Sequence, residues 1–176
     1  MNKVLPSSTF VLGGASSGKS AWAESLVRSY NLPMVYLATG QIFDAEVRAR
    51  VELHKIRRKA DWTTIEVPFD LEGVLADRTP DEAVLIDCAT MWLTNHMLAE
   101  NDLDLVQTRL IAALRACAAP WVIVSNEVGQ GIVPENALAR EFRIAQGRLN
   151  VALAAEAGRA VQVIAGLPQV LKGSLQ

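Results

Sequence analysis

The sequence has few cysteines and no long apolar segment, and these absences exclude several classes of protein. Cys88 and Cys117 are the only cysteines among 176 residues, and they form neither a metal-binding spacing nor a disulfide framework. Both stand in apolar surroundings, so we expect small core residues in a protein of the reducing cytoplasm. No uncharged apolar run approaches the roughly 18 residues of a membrane-spanning helix. The first residues lack the apolar core of a signal peptide. We therefore expect no membrane span and no secretion.

The charges of the chain nearly cancel. Seventeen Lys and Arg residues oppose 19 Asp and Glu residues, and the formal net charge is -2. This balance creates no global field that would attract nucleic acid or an anionic membrane, so we expect neither as a partner. Hydrophobic residues make up 51% of the chain, as in ordinary globular proteins. The length favours a single domain, a nucleotide-binding domain over residues 1–176.

A phosphate-binding loop motif, G-x-x-x-x-G-K-[ST], stands near the start of the chain. An apolar run at residues 9–12 precedes it, and a helical pattern at residues 21–30 follows. The alternative is an ordinary Gly/Ser-rich turn, which the flanking strand and helix disfavour because the phosphate-binding mechanism requires them there. The residues of the motif are Gly13, Gly14, Ala15, Ser16, Ser17, Gly18, Lys19 and Ser20.

The residue types of this loop suit the binding of a nucleoside triphosphate. Glycines allow backbone N–H groups to surround phosphate oxygens, and the following helix adds the positive end of its dipole. Lys19 can reach the β- and γ-phosphates, and the hydroxyl of Ser20 can ligate Mg²⁺.

Apolar runs alternate with helical patterns along the rest of the chain. This alternation predicts an α/β fold with a mostly parallel central sheet, helices on both faces and right-handed crossovers. Ligands of such sheets bind at the carboxyl ends of the strands, where Thr39-Gly40, Asp87 and Ser125-Asn126-Glu127 fall. The predicted strands are residues 9–12, 34–38, 62–67, 83–87, 121–125 and 160–165, the last of which is followed by Gly166-Leu167-Pro168. The predicted helices are residues 21–30, 44–59, 69–76, 91–99, 102–117 and 135–157.

Two acids follow buried strands. Asp87 ends a continuous apolar run, and an acid at that place in a phosphate-loop protein commonly holds Mg²⁺. The alternative is that Asp87 caps the next helix, and we favour a ligand role, with metal or with nucleotide. Glu127 lies in a loop with Gly129 and Gly131, which is equally compatible with ligand binding and with a solvated connection.

Basic residues gather in two helical patterns. The segment 47–59 carries six Lys and Arg residues around His54, which is typical of a solvated face or of a polyphosphate-facing surface. By its spacing alone, His54 is better explained as a partly buried structural residue than as a catalytic one. Arg140 and Arg143 lie one turn apart on the last helix, which suits either phosphate contact or surface ion pairs.

Taken together, these stretches resemble the bifunctional adenosylcobinamide kinase/adenosylcobinamide-phosphate guanylyltransferase family of cobalamin biosynthesis, over nearly the whole chain. The blocks around His54 and between Asn126 and Pro134 are far more specific than the phosphate loop. The matching stretches are residues 13–20, 36–39, 44–47, 50–58, 62–66, 87–90, 93–95, 125–134, 140–143, 147–150 and 165–168.

The resemblance implies two reactions. The first phosphorylates the hydroxyl of the aminopropanol arm of adenosylcobinamide with ATP or GTP. The second transfers GMP from GTP to that phosphate through a covalent intermediate on a histidine, which gives adenosyl-GDP-cobinamide and pyrophosphate. The position of that histidine matches His54, so the resemblance reverses the structural interpretation above. A neutral imidazole is a good nucleophile near pH 7, and nearby cations would offset the charge on the phosphates.

The resemblance also implies site residues, a fold and a quaternary state. Lys19 and His54 are the implied catalytic residues, and Ser20 and Asp87 are the implied Mg²⁺ ligands. Thr39, Glu66 and Asp87 join residues 13–20 in the implied nucleotide site. The family resembles RecA-like phosphate-loop proteins and forms homo-oligomers, so a dimer or a trimer is expected.

Two positions depart from the family pattern, and two other functions remain to be weighed. Lys59 stands where the family usually has Pro, and Val151 where it usually has Gln. The first alternative function is a monofunctional phosphate-loop kinase for another small molecule. The second is a GTP-dependent switch, which the absence of the guanine-reading motif N-K-x-D disfavours.

Overall fold

The computed structural model describes residues 7–41 and 61–175. The predicted helix at residues 44–59 therefore lies outside the described residues. Within these ranges, no helix combines the length and the apolarity that crossing a bilayer requires.

The described residues build one seven-stranded sheet with the order β3-β2-β4-β5-β1-β6-β7. The strands from β1 to β6 are parallel to their neighbours, and β7 runs antiparallel to β6. The prediction of a mostly parallel sheet is confirmed. The strands are β1 (Ser8–Gly13), β2 (Met34–Ala38), β3 (Trp62–Glu66), β4 (Ala83–Asp87), β5 (Trp121–Asn126), β6 (Arg159–Ile164) and β7 (Leu167–Lys172).

The helices begin where a residue can satisfy the first backbone N–H groups. The side chains of Asp70, Asp102 and Asn136 each accept a hydrogen bond from the backbone N–H three residues later. Asn136 therefore starts its helix two residues later than predicted. The helices are α1 (Lys19–Arg28), α2 (Leu71–Ala76), α3 (Ala89–Leu98), α4 (Leu103–Ala116) and α5 (Ala137–Glu156).

The sheet is covered by helices on both faces, as the continuous apolar strands predict. Ala83 to Ile86 of β4 have no solvent exposure. On one face, Ala23, Leu26 and Val27 of α1 pack against the sheet. The other helices contribute to the apolar cluster on the opposite face. Since the core is closed from both sides, polar side chains at the carboxyl ends of the strands are held on a rigid support.

The prediction that the strand at residues 160–165 is the last one is wrong. β6 ends at Ile164, and Ala165 and Gly166, with φ values of 51° and 78°, turn the chain into β7. Two consecutive residues with positive φ are typical of a two-residue hairpin turn. Pro168, which was interpreted as part of the segment after the last strand, lies opposite Val163. Proline is tolerated there because β7 is the edge of the sheet and one side of it needs no donor.

Candidate nucleotide-binding site

The phosphate loop connects the end of β1 to the start of α1, as predicted. Gly18 is the N-cap of α1 and has a φ of 90°, a left-handed conformation that glycine adopts without a steric penalty. Glycine has no side chain that could cap the helix. The first backbone N–H groups of α1 and the positive end of its dipole are therefore available to an anion.

Lys19 extends back over the loop from the first position of α1. Its Nζ donates a hydrogen bond of 3.1 Å to the carbonyl oxygen of Gly14. Ser20 follows on the same helical turn and is half-buried. An ammonium group and a hydroxyl group thus stand together in the first turn of the helix.

The neighbouring strands hold the loop on two sides. The backbone N–H of Gly166, in the turn between β6 and β7, donates a 2.7 Å hydrogen bond to the carbonyl oxygen of Ser17. A Cβ atom on Gly18 would lie 2.9 Å from the Cα atom of Gly166. The two backbone segments can therefore approach this closely only because Gly18 has no side chain. On the other side, the backbone N–H of Glu127 donates to the carbonyl oxygen of Gly13 at 3.0 Å. The sequence analysis missed the contribution of Gly166, although a glycine at a strand end was an available signal.

The register of the sheet brings the predicted polar residues to one edge. Ala38 pairs with Asp87 on one side and with Glu66 on the other. Gly13 pairs with Asn126 on β5, which lies between β1 and β4. Neighbouring strands lie about 4.8 Å apart, so the end of β4 stands roughly 10 Å from the end of β1. The phosphate loop, Thr39, Glu66 and Asp87 therefore line the same edge.

Asp87 accepts a hydrogen bond from a neighbouring strand and does not cap the helix that follows it. The hydroxyl of Tyr36 donates to Oδ2 of Asp87 at 2.9 Å. The N-cap of α3 is Cys88, whose Sγ accepts from the backbone N–H of Met91 at 3.5 Å. The alternative interpretation of Asp87 as the helix cap is therefore wrong. This cap also explains why α3 begins two residues before the predicted start.

Thr39 connects two strand ends. Its hydroxyl donates to the carbonyl oxygen of Cys88 at 2.7 Å and accepts from the backbone N–H of Cys88 at 2.8 Å. Nδ2 of Asn95 donates to the carbonyl oxygen of Thr39 at 2.8 Å. Thr39 is completely buried, and its predicted contact with a nucleotide stays a prediction. Glu66 is exposed at the end of β3.

Two opposite charges act on the thiol of Cys88. The pKa of this thiol is raised to about 12, chiefly by burial and in addition by the charge of Asp87, and the charge of Lys19 acts in the opposite direction. The carboxylate and the ammonium are therefore both close enough to influence one sulfur atom. Cys88 and Cys117 are half-buried against the core, in keeping with their expected role as small packing residues.

A buried polar cluster supports the end of β5, and sequence reasoning did not find it. Oγ of Ser125 donates to Oδ1 of Asn150 at 2.6 Å, and Nε2 of Gln146 donates to the same oxygen at 2.9 Å. Nδ2 of Asn150 donates to the carbonyl oxygen of Asn126 at 3.1 Å. The hydroxyl of Thr90 accepts from the backbone N–H of Asn126 at 2.8 Å. These contacts fix Asn126 from two helices at once.

The comparisons with known proteins agree with this geometry. The sequence profile of the family described as cobinamide kinase / cobinamide phosphate guanyltransferase (CobU) matches residues 9–171. The chain belongs to this family. The bifunctional adenosylcobalamin biosynthesis protein CobU of Salmonella typhimurium is 44% identical over 179 residues, covering 92% of this chain and 98% of the relative. The CobU protein of Escherichia coli is 39% identical over 178 residues, with the same two coverages.

Two solved structures resemble the fold. The match to the RadB recombinase has a TM-score of 0.54 and 13% sequence identity, and it covers 89% of this chain and 74% of the recombinase chain. A Pyrococcus horikoshii protein has a TM-score of 0.53 at 9% identity, with coverages of 97% and 88%. The prediction of a RecA-like phosphate-loop fold is confirmed. Membership in the cobinamide kinase family confirms the two predicted activities, kinase and guanylyltransferase, and supports the bifunctional enzyme over the monofunctional kinase.

In this member of the cobinamide kinase family, Arg140 and Arg143 contact carbonyl oxygens of a loop, and neither forms an ion pair with another residue of the ranges 7–41 and 61–175. Arg143 donates to the carbonyl oxygens of Gly129 and, at 3.2 Å, of Gly131. Arg140 donates to the carbonyl oxygen of Pro134 at 2.9 Å. The carboxylate of Glu127 accepts from the backbone N–H of Gly129 within the same loop. Both arginines thus shape the segment that follows β5.

The remaining predicted residue, His54, lies outside the described residues together with the basic segment 47–59. In the described part of the chain, no three His, Cys, Asp or Glu side chains gather as a metal site. The roles predicted for the individual site residues stay predictions.

Proposed function

We propose that the chain phosphorylates adenosylcobinamide at the phosphate loop and then transfers GMP from GTP to the product through His54. The observation that supports this proposal is the start of α1, where Lys19 and Ser20 follow an N-cap glycine that has no side-chain cap. Family membership supports the assignment of both reactions.

The first reaction is a phosphoryl transfer from ATP or GTP. The hydroxyl oxygen of the acceptor bonds to the γ-phosphorus, the bond from this phosphorus to the bridging oxygen breaks, and the hydroxyl proton passes to water. The nucleoside diphosphate leaves. Lys19 offsets the charge on the β- and γ-phosphate oxygens, and the backbone N–H groups of the loop orient them.

Mg²⁺ fits the residues that the site provides. Ser20 and Asp87 supply a hydroxyl and a carboxylate oxygen, which are ligands that Mg²⁺ accepts alongside phosphate oxygens. The hydrogen bond from Tyr36 is made to Oδ2 of Asp87, and Oδ1 is the oxygen that would hold the metal. When bound, Mg²⁺ would neutralise charge on the triphosphate.

The second reaction is a nucleotidyl transfer in two displacements. A ring nitrogen of His54 bonds to the α-phosphorus of GTP, the bond from this phosphorus to the β-phosphate breaks, and pyrophosphate leaves. A phosphate oxygen of adenosylcobinamide phosphate then attacks the same phosphorus. The nitrogen–phosphorus bond breaks, which gives adenosyl-GDP-cobinamide and restores His54.

Variants that separate the two reactions test this proposal. We expect His54→Ala to accumulate adenosylcobinamide phosphate, because it retains the phosphate loop and lacks the second nucleophile. We expect Lys19→Ala to lose roughly 100-fold or more of the kinase activity. The measurement is chromatography of the corrinoid products with GTP as donor. Formation of adenosyl-GDP-cobinamide by His54→Ala at the wild-type rate would refute the role of His54.

The assembly and location of the enzyme complete the proposal. We expect a homo-oligomer, a dimer or a trimer, because the family resemblance implies one, and the cysteine usage favours a reducing cytoplasm. The organisation as one domain and the expected lack of a nucleic-acid partner also stay predictions.

A further inference from the structure

Three apolar side chains are exposed on the segment that follows β5. Ile132 is 97% exposed, Val133 is 64% exposed, and Leu138, in the first turn of α5, is 50% exposed. Single exposed apolar residues are common, but three within seven residues of the sequence mark this segment as a candidate binding surface. We call these three residues the apolar loop patch.

The segment that bears the apolar loop patch starts at the edge of the sheet that carries the phosphate loop. β5 lies directly beside β1, and Asn126 pairs with Gly13. The segment leaves β5 at Glu127, whose backbone N–H is bonded to the carbonyl oxygen of Gly13. The segment that carries the patch therefore begins beside the phosphate loop.

The segment is also held in a defined shape. Arg143 donates to the carbonyl oxygens of Gly129 and Gly131, and Arg140 to that of Pro134. Asn136 caps the helix that follows. Because these contacts order the segment before a ligand arrives, binding would lose less conformational entropy than binding to a free loop.

We propose that the apolar loop patch binds the corrin ring of the acceptor. This proposal rests on the proposed function, in which the acceptor hydroxyl must reach the γ-phosphate above the phosphate loop. A corrinoid is a broad macrocycle with apolar faces and peripheral amide groups. Ile132, Val133 and Leu138 would cover an apolar face, and Gln130, which is exposed and two residues before Ile132 in the sequence, would bind an amide.

Equilibrium dialysis of cobinamide, followed by its own visible absorbance, tests the proposal without catalysis. The variants are Ile132→Ser with Val133→Ser, and Leu138→Ser. Val151→Ser is the matched control, because Val151 is 72% exposed on the same helix. It lies about 20 Å further along α5. We expect the double variant to bind cobinamide roughly 10-fold more weakly and the control to bind as wild type.

The outcomes separate this proposal from the proposed function. Weaker cobinamide binding with unchanged GTP binding supports the acceptor site. Equal cobinamide binding by wild type and by both patch variants overturns the acceptor site and leaves the proposed function intact. The same conclusion follows if the double variant only dissociates an oligomer in sedimentation, since the patch would then join copies of the chain. A wild-type protein that binds no cobinamide overturns both proposals.

Discussion

The backbone N–H of Gly166 donates a 2.7 Å hydrogen bond to the carbonyl oxygen of Ser17, so the hairpin of β6 and β7 braces the phosphate loop. Gly166 has a φ of 78°, which costs a residue with a Cβ atom about 1–2 kcal/mol. We expect Gly166→Ala to shift the turn and to weaken nucleotide binding roughly 10-fold. Titration of the protein with a fluorescent GTP analogue measures this effect.

The control for that experiment is the preceding residue. Ala165 has a φ of 51° in the same turn, so Ala165→Gly relieves strain without removing the hydrogen bond to Ser17. We expect this variant to retain wild-type nucleotide affinity and to gain up to about 1 kcal/mol in the free energy of unfolding. Equal nucleotide affinities for Gly166→Ala and wild type would show that the loop does not depend on the hairpin.

Asn150 is the central member of the buried cluster behind β5. Asn150→Ala removes the acceptor of the Ser125 hydroxyl and the side-chain donor to the carbonyl oxygen of Asn126, and it leaves Ser125 with the hydrogen bond that it accepts from Gln146. We expect a loss of about 2–3 kcal/mol in the free energy of unfolding, measured by urea denaturation. Val151→Ala is the exposed neighbour and should change stability by less than about 0.5 kcal/mol. Coincident urea transitions for the two variants would contradict a structural role of the cluster.

Tyr36 orients the carboxylate that we assign to Mg²⁺. Tyr36→Phe removes the hydroxyl that donates to Asp87 and keeps the ring that meets Trp62 edge-on. We expect the Mg²⁺ concentration for half-maximal kinase activity to rise roughly 10-fold, because a less oriented ligand binds metal more weakly. Tyr30→Phe is the control, since the chain has only two tyrosines. An unchanged Mg²⁺ dependence in Tyr36→Phe would contradict the assignment of Asp87 as a Mg²⁺ ligand oriented by Tyr36.

Cys88 makes the stability of the protein depend on alkaline pH. Burial raises the pKa of its thiol from 9.0 to about 12, so the folded protein keeps the thiol neutral while the unfolded chain ionises. The unfolded chain then binds fewer protons than the folded protein, and the contribution of Cys88 to stability is lost as the pH rises from 9 towards 12. We expect the free energy of unfolding to fall more steeply between pH 8 and pH 10 for wild type than for Cys88→Ser. If the free energy of unfolding fell equally with pH for wild type and for Cys88→Ser, the thiol would have the same pKa in the folded and the unfolded protein, which would contradict this prediction.

Much of the fold could be predicted because the strands are buried on both faces. Continuous apolar runs such as Ala83–Asp87 are readily recognised as buried strands. The predicted bounds of β2 and β4 agree with the structure. β7 was missed because Pro168 suggests the end of a strand, and only its place at the sheet edge makes a proline acceptable.

The candidate site, like the fold, could be predicted only in part. The phosphate loop and Asp87 could be found because local spacing defines them. The hydrogen bonds of Asn150 with Ser125 and of Gly166 with Ser17 could not be found, because they join residues far apart in the chain. Such contacts depend on helix packing and on strand order, which no local pattern contains.

Incubation of the protein with GTP labelled on the α-phosphate tests guanylyl transfer most directly. The chain has two histidines, and the second, His96, is 7% exposed and packed against Trp92. A phosphoramidate is stable in alkali and labile in acid, so the label on a histidine can be recognised. We expect wild type and His96→Gln to carry this label and His54→Ala to carry none. An unlabelled wild type, or equal labelling of His54→Ala, would contradict the covalent mechanism.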